Sequence, residues 1–466
     1  MKYLRLMFLM LTLCVSSFAQ QTSNVSLANL PAAPVPQATV QSGAGQTSPT
    51  SQTAPLAGPG APLALSVNDA QALALKNNPQ ISVARLTALA TRQVTRESRS
   101  ALWPTAQIEL TAVDADPGTR ITAGALNNPT VYQRVAAGAQ VTQLLTDFGR
   151  TTNLIASANL AAKAENQNAL ATKEQILLAT DQAFYNALQT QQVLTVAQQT
   201  VKDRQTVSDQ VGALFKSKLK SELDFSFANV NLAQAKLLLL DAQNNVNAAE
   251  ASLSAVLGSQ SLQNFQLVED TTPIAAPPDN VDDLISTAFT MRPEILSLEF
   301  QSESAQRFQK AERDLLFPDI RALGVVGDTP IRNPIISSWY GAVGVNVNIP
   351  VFNGFLFNAR SHEASLRAQA TQERLRGIRD QISRDVRTSW LNAKTTYDRM
   401  AVTQQLLDQA NLALSLAQSR YKLGLGSIVE LRQAQLQQTQ AQIASVQAGY
   451  DYRLSLAVLQ YQTRGI

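Results

Sequence analysis

The residue types that most enzymes need for chemistry are scarce in this chain. Its 466 residues include one histidine, His362, and one cysteine, Cys14. This count argues against a disulfide framework and a Cys/His metal site, and it removes the usual general base. His362 lies just inside a predicted helix, where a lone histidine is usually a surface residue. Phosphate-binding Gly-rich loops, Gly-x-Ser-x-Gly and metal-ligand clusters are also absent, so the sequence predicts no enzyme, catalytic residue, cofactor or metal.

Two carboxylates stand at matching places and are the best candidates for a functional charge. Asp224 follows Ser221 by three residues, and Glu430 follows Ser427 by three. This spacing is typical of a capping box at a helix start, which the glutamate matches better, and the helix dipole favours a carboxylate there. A ring of such carboxylates at a narrow pore would also favour cations over anions, and both roles can hold at once.

The matching places belong to a long internal repeat. Seven residues recur at one offset of 214 positions, and a later set recurs at an offset of 206. Such an ordered series is hard to obtain by chance, so the sequence predicts one fold built from two homologous halves. The first set pairs Val67, Asp69, Ala74, Pro79, Ile81, Leu102 and Pro104 with Val281, Asp283, Ala288, Pro293, Ile295, Leu316 and Pro318; the second pairs Phe215, Lys216, Leu219, Ser221 and Asp224 with Tyr421, Lys422, Leu425, Ser427 and Glu430.

Residues 1–19 are typical of a secretory signal peptide. Lys2 and Arg5 give the charged start, an apolar stretch follows, and Ala19 ends a small-x-small cleavage site. A lipoprotein signal ending at Cys14 is the competing interpretation, but Leu13 is too large for the position before a lipidated cysteine. Residues 20–64 are rich in Pro, Ala, Ser, Thr and Gln and predict a disordered tether. A first repeat at 65–258, an inter-repeat linker at 259–280 and a second repeat at 281–466 complete the chain.

Composition narrows the class of protein further. Hydrophobic residues make up 45% of the chain, which is enough for a core, and the formal net charge of +3 is too small to suggest a nucleic-acid partner. After the signal peptide, no stretch approaches roughly 18 consecutive apolar residues. The sequence therefore predicts no membrane-spanning helix, and any passage through a membrane would have to use strands.

Proline placement marks the helices. No proline occurs between Val131 and Thr272, or from Val351 to the C-terminus, and both zones are dense in good helix formers. Each half is therefore predicted to contain a helix of about 65 residues, a short break and a returning helix of about 35 residues. The breaks fall at 214–221 and 423–427. Coiled-coil spacing within the second zone joins Ala393, Met400, Leu407, Leu414 and Tyr421, with Trp390 and Tyr397 on the same side.

A pair of strands is predicted ahead of each long helix. Between Trp339 and Ile349, apolar residues alternate with small or polar ones, which is a strong strand signal. Weaker or shorter signals cover 104–113, 131–141 and 319–326. Strands of this length with an apolar face suit a bilayer, but four strands cannot close a barrel alone, since barrels start at about eight strands. The chain would then have to oligomerise; a soluble four-stranded sheet capping a helical bundle is the alternative.

Three segments carry a resemblance to a known family. Two lie at the strand-to-helix junctions and one at the second helical turn. They are Leu145-Thr146-Asp147-Phe148-Gly149-Arg150, Ile349-Pro350-Val351-Phe352-Asn353-Gly354 and Tyr421-Lys422-Leu423-Gly424-Leu425-Gly426-Ser427-Ile428-Val429-Glu430-Leu431. Together with the duplication, they resemble the TolC-like outer-membrane efflux proteins (outer membrane factors) of Gram-negative bacteria. The resemblance covers essentially everything from Leu65 to Leu459.

The resemblance implies a mainly α fold with a transmembrane β-barrel, built from a duplicated strand-pair and long-helix-hairpin unit. It implies a homotrimer in the outer membrane, in which three chains share one barrel that continues as a coiled-coil α-barrel in the periplasm. The implied partners are outer-membrane lipid, a periplasmic adaptor (membrane fusion protein) and an inner-membrane transporter of the RND, ABC or MFS type. No nucleic-acid partner is expected.

The function that the resemblance implies is the exit duct of a tripartite efflux or type I secretion system. The duct would be gated at its periplasmic helical tip by the adaptor. The alternative is a secreted coiled-coil envelope scaffold or adhesin without transport activity. A cell-envelope hydrolase is the candidate from the enzyme class, although the residues it would need are not seen.

Site residues follow from the same resemblance. Asp224 and Glu430 match the acidic gate positions, and Tyr421 matches an aromatic in the closing contacts. Gln433 stands where a second acidic residue is common, and Gly426 stands where some members have an arginine that ties the closed state together. Lys218 and Lys220 of the first turn would either contact the adaptor or solubilise the tip. The expected adaptor-docking turns are Lys218, Leu219, Lys220, Ser221, Gly424, Leu425, Gly426 and Ser427, and the expected strand-to-helix junctions are Phe148, Gly149, Pro350, Phe352 and Gly354.

Overall fold

The computed structural model describes residues 63–116, 118–119, 131–259, 265–269 and 275–464. The predicted signal peptide at 1–19 and all but the last two residues of the predicted tether lie outside these ranges. Within them, the chain runs twice through the same order of elements: two helices, two strands, a long helix and a returning helix. This order confirms the duplicated strand-pair and helix-hairpin unit.

The helices and strands have the following bounds. The first unit contains α1 (Val67–Asn77), α2 (Pro79–Ser100), β2 (Thr105–Val113), β3 (Arg134–Thr146), α3 (Arg150–Lys216) and α4 (Glu222–Val256). The second contains α5 (Val281–Met291), α6 (Pro293–Arg313), β5 (Asp319–Arg332), β6 (Trp339–Asn348), α7 (Leu356–Lys422) and α8 (Ile428–Thr463). Two short strands, β1 (Leu63–Leu65) and β4 (Phe265–Leu267), lie outside the repeat.

The long helices have the lengths that the proline-free zones predicted. Helices α3 and α7 each contain 67 residues, and the returning helices α4 and α8 contain 35 and 36. At about 1.5 Å per residue, each long helix extends about 100 Å. Among the described residues, no helix combines the length and the apolar character that crossing a membrane requires. Each long helix packs along the returning helix that follows it.

Alanine is the commonest residue at the buried positions along the rods, which lets neighbouring helices approach closely. In the predicted stripe of α7, Ala393 is fully buried and Tyr421 is 9% exposed, while Met400, Leu407 and Leu414 are half-buried. Tyr397, predicted on the same side, is more exposed, and its ring packs 5.2 Å from that of Tyr452. The stripe is thus an ordinary packing face.

The short strands β1 and β4 pair in parallel and join the start of the described chain to the inter-repeat segment. Leu65 is 1% exposed, and its carbonyl accepts a 2.9 Å hydrogen bond from the amide of Val268. Strand β1 includes the last two residues of the predicted tether, and Leu65 at its end packs into the main hydrophobic core cluster. Strand β4 lies inside the predicted linker, where no element was predicted.

The four remaining strands form one antiparallel sheet in the order β2-β3-β5-β6. Pairing of β3 with β5 joins the two units, and both strands run further than predicted because their ladder continues to Thr146 and Arg332. Directly opposite residues share a face in such a sheet. One face is apolar and carries Ile108, Leu110, Val141, Ile320, Val326, Val343, Val345 and Val347; the other carries Gln107, Glu109, Gln140, Thr142, Arg321, Asn346 and Asn348.

The apolar face is open. Val343 is 92% exposed, Leu110 81% and Ile108 80%, so no described element of the chain covers the centre of this face. Monomeric soluble proteins rarely leave such a contiguous apolar patch in water. We therefore expect the apolar face of the sheet to be covered by an apolar environment outside the described chain.

A buried carboxylate sits in the main core cluster of the helices. Asp181 of α3 is 5% exposed and accepts a 2.7 Å hydrogen bond from Nε2 of Gln71 on α1. Burial raises the pKa of Asp181 to about 6, against the smaller opposing effect of that hydrogen bond. Because this pKa exceeds the value of about 3.9 expected for the unfolded chain, the folded state is favoured at acidic pH and loses this advantage as the pH rises through 6.

We therefore expect Asp181→Asn to stabilise the protein at pH 7.5 by about 1 to 3 kcal/mol, with the gain shrinking towards pH 4.5. Thermal unfolding of the helices, followed by circular dichroism at both pH values, measures this difference. Asp203→Asn is the matched control, because Asp203 lies on the same helix and accepts from Gln199 Nε2 at 2.8 Å, but is exposed. Equal pH dependence in Asp181→Asn and the unsubstituted protein would contradict the assignment.

Candidate functional site

The two hairpins α3–α4 and α7–α8 end in turns of the same type, at the predicted breaks. In the first turn, the amide of Leu219 donates to the carbonyl of Leu214 at 2.9 Å, and in the second the amide of Leu425 donates to that of Arg420 at 2.8 Å. Both turns need a left-handed residue, which is Lys218 (φ 60°) in one and Gly424 (φ 74°) in the other. A lysine in this conformation is uncommon, whereas glycine adopts it freely.

The helix that follows the first turn starts with a complete capping box. The Oγ of Ser221 accepts from the amide of Asp224 at 3.1 Å, and Asp224 Oδ2 accepts from the Ser221 amide at 3.3 Å and from its hydroxyl at 2.9 Å. The second start is one-sided, since only the Glu430 amide donates to Ser427 Oγ, at 3.1 Å. The prediction that the glutamate matches a capping box better is therefore wrong. The shorter side chain of Asp224 remains within hydrogen-bond distance of the Ser221 amide at the start of its own helix.

The carboxylate of Glu430 is turned to a different partner. Its Oε1 lies 3.2 Å from Nε of Arg420, which also donates through a terminal nitrogen to the Leu425 carbonyl at 3.3 Å. Gly426 leaves room for this pair, because a Cβ there would lie 3.3 Å from Glu430 Oε2. Arg420 was not predicted as a site residue, since its spacing of ten residues from Glu430 across a turn follows no sequence rule.

Tyr421 lies at the contact between the two hairpins. It is 9% exposed and packs with Val211 of α3 and Leu431 of α8, among others. Burial, and secondarily the charge of Asp224, raises the pKa of the Tyr421 phenol. Its buried hydroxyl has no hydrogen-bond partner among the described residues.

Lys220 of the first turn reaches across to this tyrosine. Its Nζ lies 4.2 Å from the centroid of the Tyr421 ring, which is a cation–π contact. Lys218, by comparison, is exposed. The structure thus brings Asp224, Tyr421 and Lys220 together, while Glu430 is held separately by Arg420. Both lysines were predicted as residues of the tip, but their contacts were not, because Lys220 and Tyr421 are far apart in the chain.

The tip also exposes several leucines. Leu219, Leu423 and Leu425 are 71%, 74% and 69% exposed, next to a cleft of about 630 Å³ that Lys220 and Tyr421 help to line. The rings of Phe215 and Phe225 stack 5.6 Å apart and support the first turn. Clustered apolar side chains at the end of a rod are typical of a surface that binds another protein.

The strand-to-helix junctions at the other end of the rods are rich in exposed aromatic residues. Gly149 (φ 109°) and Gly354 (φ 62°) adopt left-handed conformations, and so do Phe148 and Phe355. Phe148 packs 6.1 Å from Phe317, and Phe352 packs 5.7 Å from Phe355.

The first junction is fixed by a capping aspartate that was not predicted. Oδ2 of Asp147 accepts from the amide of Thr151 at 2.7 Å. The sequence indicates this cap, because an aspartate stands two residues before Gly149 at the start of the helix. Pro350 is half-buried beside the exposed Phe352, so the predicted junction residues do mark the ends of the strands.

The described part of the chain offers little for catalysis. His362 is exposed, and no group of three or more His, Cys, Asp or Glu side chains in the described ranges is arranged to hold a metal ion. What the two ends offer instead is charge and exposed apolar surface, which are properties suited to binding.

Comparison with known proteins gives consistent matches. The family model "Outer membrane efflux protein" matches residues 71–259 and 284–461. The chain is 23% identical over 326 residues to the outer membrane efflux protein BepC of Brucella suis biovar 1, covering 67% of this chain and 68% of BepC. It is 22% identical over 381 residues to the probable outer membrane lipoprotein SilC of Salmonella typhimurium, covering 78% and 77%. The crystal structure of CusC superposes with a TM-score of 0.74 at 18% identity, covering 86% of this chain and 92% of CusC.

Proposed function

The chain belongs to the outer membrane efflux protein family, and from this we propose that three copies form the exit duct of a tripartite export system. Members of this family are channels of the outer membrane and not enzymes. We propose further that the trimer is closed at its helical tip and is opened by a periplasmic adaptor that is coupled to an inner-membrane transporter.

The two-faced sheet is the observation that carries the proposal. Its four strands leave β2 and β6 without a partner on their outer sides within the described chain, and such edges pair readily with other strands. Three copies would supply twelve strands, which is above the minimum of about eight for a closed barrel. The apolar face would then contact lipid, and the polar face would line the passage.

The helices fit the remainder of the duct. Rods of about 100 Å continue from the sheet and are long enough to reach deep into the periplasm. In a trimer, six hairpin turns would meet at their far end, and each copy would contribute Asp224 and Glu430. We propose that these carboxylates form the acidic constriction, with Arg420 offsetting part of the charge of Glu430.

We propose that the exposed leucines of the turns bind the adaptor. Their side chains are apolar and project from the end of the duct, where packing within the chain does not explain them. Binding of a partner with an apolar helical surface would be favoured by about 25 cal/mol for each Å² of apolar surface that the partner covers. The basic residues Lys218 and Lys220 flank this surface.

Leu425→Asp is expected to abolish export by cells that depend on this chain, because a charge would be buried in the docking contact. The channel itself should be unaffected, since Leu425 is 69% exposed and contributes little to the fold. Dye efflux by the cells and conductance of the purified trimer measure the two effects separately. Leu425→Met keeps an apolar side chain and should retain export. Normal export by Leu425→Asp would rule out docking at this turn.

A further inference from the structure

One row of the four-stranded sheet carries an unusual set of residues. The register places Glu109 opposite Gly138, Gly138 opposite Gly327 and Gly327 opposite Tyr340, across all four strands. Directly opposite residues share a face, so all four belong to the polar face. The row therefore holds a carboxylate and a tyrosine with two residues between them that have no side chain.

The side chain of Tyr340 occupies the space above the two glycines. A Cβ added at Gly327 would lie 2.3 Å from both Cζ and Oη of Tyr340, and a Cβ added at Gly138 would lie 2.3 Å from Oη. The tyrosine thus crosses β5 and reaches β3. Its exposed fraction is 39%, which fits a ring that lies along the sheet.

Two other glycines of the sheet, one on each face, do not share this property. A Cβ at Gly344, on the same face of β6, would meet nothing within 4 Å, and one at Gly324 would meet only a carbonyl oxygen at 4.0 Å. Glycine weakens a strand interior by about 0.5 to 1 kcal/mol relative to alanine, so it often marks a close approach. Gly138 and Gly327 together form a slot that Tyr340 fills.

We propose that this slot sets the bore of the duct. With Gly138 and Gly327 beneath it, the Tyr340 ring lies against the wall in each of three copies, and the passage stays wide enough for bulky solutes. A side chain at Gly138 would lift the ring away from the wall, so that three rings would narrow the lumen at one level. The inference rests on the proposed function, because it requires the polar face to be the lumen.

The rate at which a cysteine placed deeper in the lumen reacts with reagents of different size measures the width of the passage. Gly344→Cys lies four residues beyond Tyr340 along β6, which is about 14 Å further from the outer end of that strand. The only cysteine of the sequence, Cys14, lies in the predicted signal peptide, so the reporter would be the single thiol of the mature chain. The experiment labels intact cells from outside with a small maleimide and with a polyethylene-glycol maleimide.

In the Gly344→Cys background, Gly138→Ala should lower the labelling rate of the bulky reagent several-fold and leave that of the small reagent unchanged. Adding Tyr340→Ala to Gly138→Ala should restore the labelling rate of the bulky reagent. Tyr340→Ala without Gly138→Ala should not lower this rate. Gly324→Ala, on the opposite face, is the matched control and should change neither rate. Gly327→Ala is avoided, because its Cβ would also lie 2.6 Å from the carbonyl oxygen of Ala137.

The slot proposal would be overturned if a heat-stable Gly138→Ala trimer reacted with the bulky reagent at an unchanged rate. It would also be overturned if Gly138→Ala lowered this rate and adding Tyr340→Ala did not raise it again. If Gly138→Ala does not assemble, the Gly138→Ala/Tyr340→Ala variant decides the question. Assembly of this double variant with a labelling rate of the bulky reagent that stays low would overturn the proposal equally.

Val343→Cys tests the premise that the polar face is the lumen, because this neighbour of Gly344 lies on the apolar face and should be shielded by lipid. Reactivity of Val343→Cys equal to that of Gly344→Cys would contradict the proposed function itself.

Discussion

Replacing Val343 with arginine is expected to prevent assembly of the protein in the membrane, whereas Gly344→Arg should assemble. Val343 lies midway along β6, is 92% exposed in the single chain and projects from the apolar face. An arginine on the lipid face at mid-depth costs about 2 to 4 kcal/mol, and a trimer would carry three of them. The loss cannot come from the core of the protomer, because almost nothing in the described chain packs on Val343.

Gly344→Arg is the control, because it introduces the same charge one residue along the same strand. Its side chain would project from the polar face, where a Cβ would meet nothing within 4 Å. The measurement is the yield of heat-stable trimer in outer-membrane fractions, compared on gels with the unsubstituted protein. Normal assembly of Val343→Arg, or failure of Gly344→Arg alone, would reverse the assignment of the two faces.

Lys220→Ala is expected to open the periplasmic tip. The interaction of Lys220 with the Tyr421 ring links one hairpin to the other at 4.2 Å. A cation–π interaction contributes about 0.5 to 2 kcal/mol, and removing it from the three copies of the proposed trimer would shift the balance of closed and open states by about ten-fold to about twenty-thousand-fold. The open probability of single channels in a planar bilayer measures this shift.

Two variants separate the ring interaction from a simple loss of charge. Lys218→Ala removes the same charge from the same turn, but Lys218 is exposed, so this variant should stay closed. Lys220→Arg keeps a cation that can stack on the ring and should also stay closed. Equal opening by Lys218→Ala and Lys220→Ala would show that the net charge of the tip, and not the interaction with the ring, decides its state.

The helices and turns could be predicted from the sequence because their causes are local. Long zones without proline and rich in alanine and leucine specify rods, and the repeat places both turns in register. The pattern of β6 gave its two faces in the same way, since alternation from Trp339 onwards depends only on neighbours. No element was predicted for the short helices α1, α2, α5 and α6, although Pro79 and Pro293 stand at the first positions of α2 and α6.

The contacts that complete the site depend on residues distant in the chain and had no local signal. Lys220 meets Tyr421 only because two hairpins pack side by side, and Tyr340 covers Gly138 only because β5 lies between their strands. The capping boxes show the other limit of pattern reasoning. Both starts have the same spacing, yet Arg420 draws the longer carboxylate of Glu430 away from its helix start.

The single-channel current of the purified, verified trimer across a KCl gradient in a planar bilayer tests the duct most directly. Discrete small steps that favour K⁺ over Cl⁻ are predicted, because we propose that the passage narrows at a ring of carboxylates. Asp224→Ala/Glu430→Ala should give larger steps with weaker preference for K⁺. Absence of steps from folded trimers of both proteins would contradict a duct through the membrane, and unchanged steps in the double variant would remove the acidic constriction from the tip.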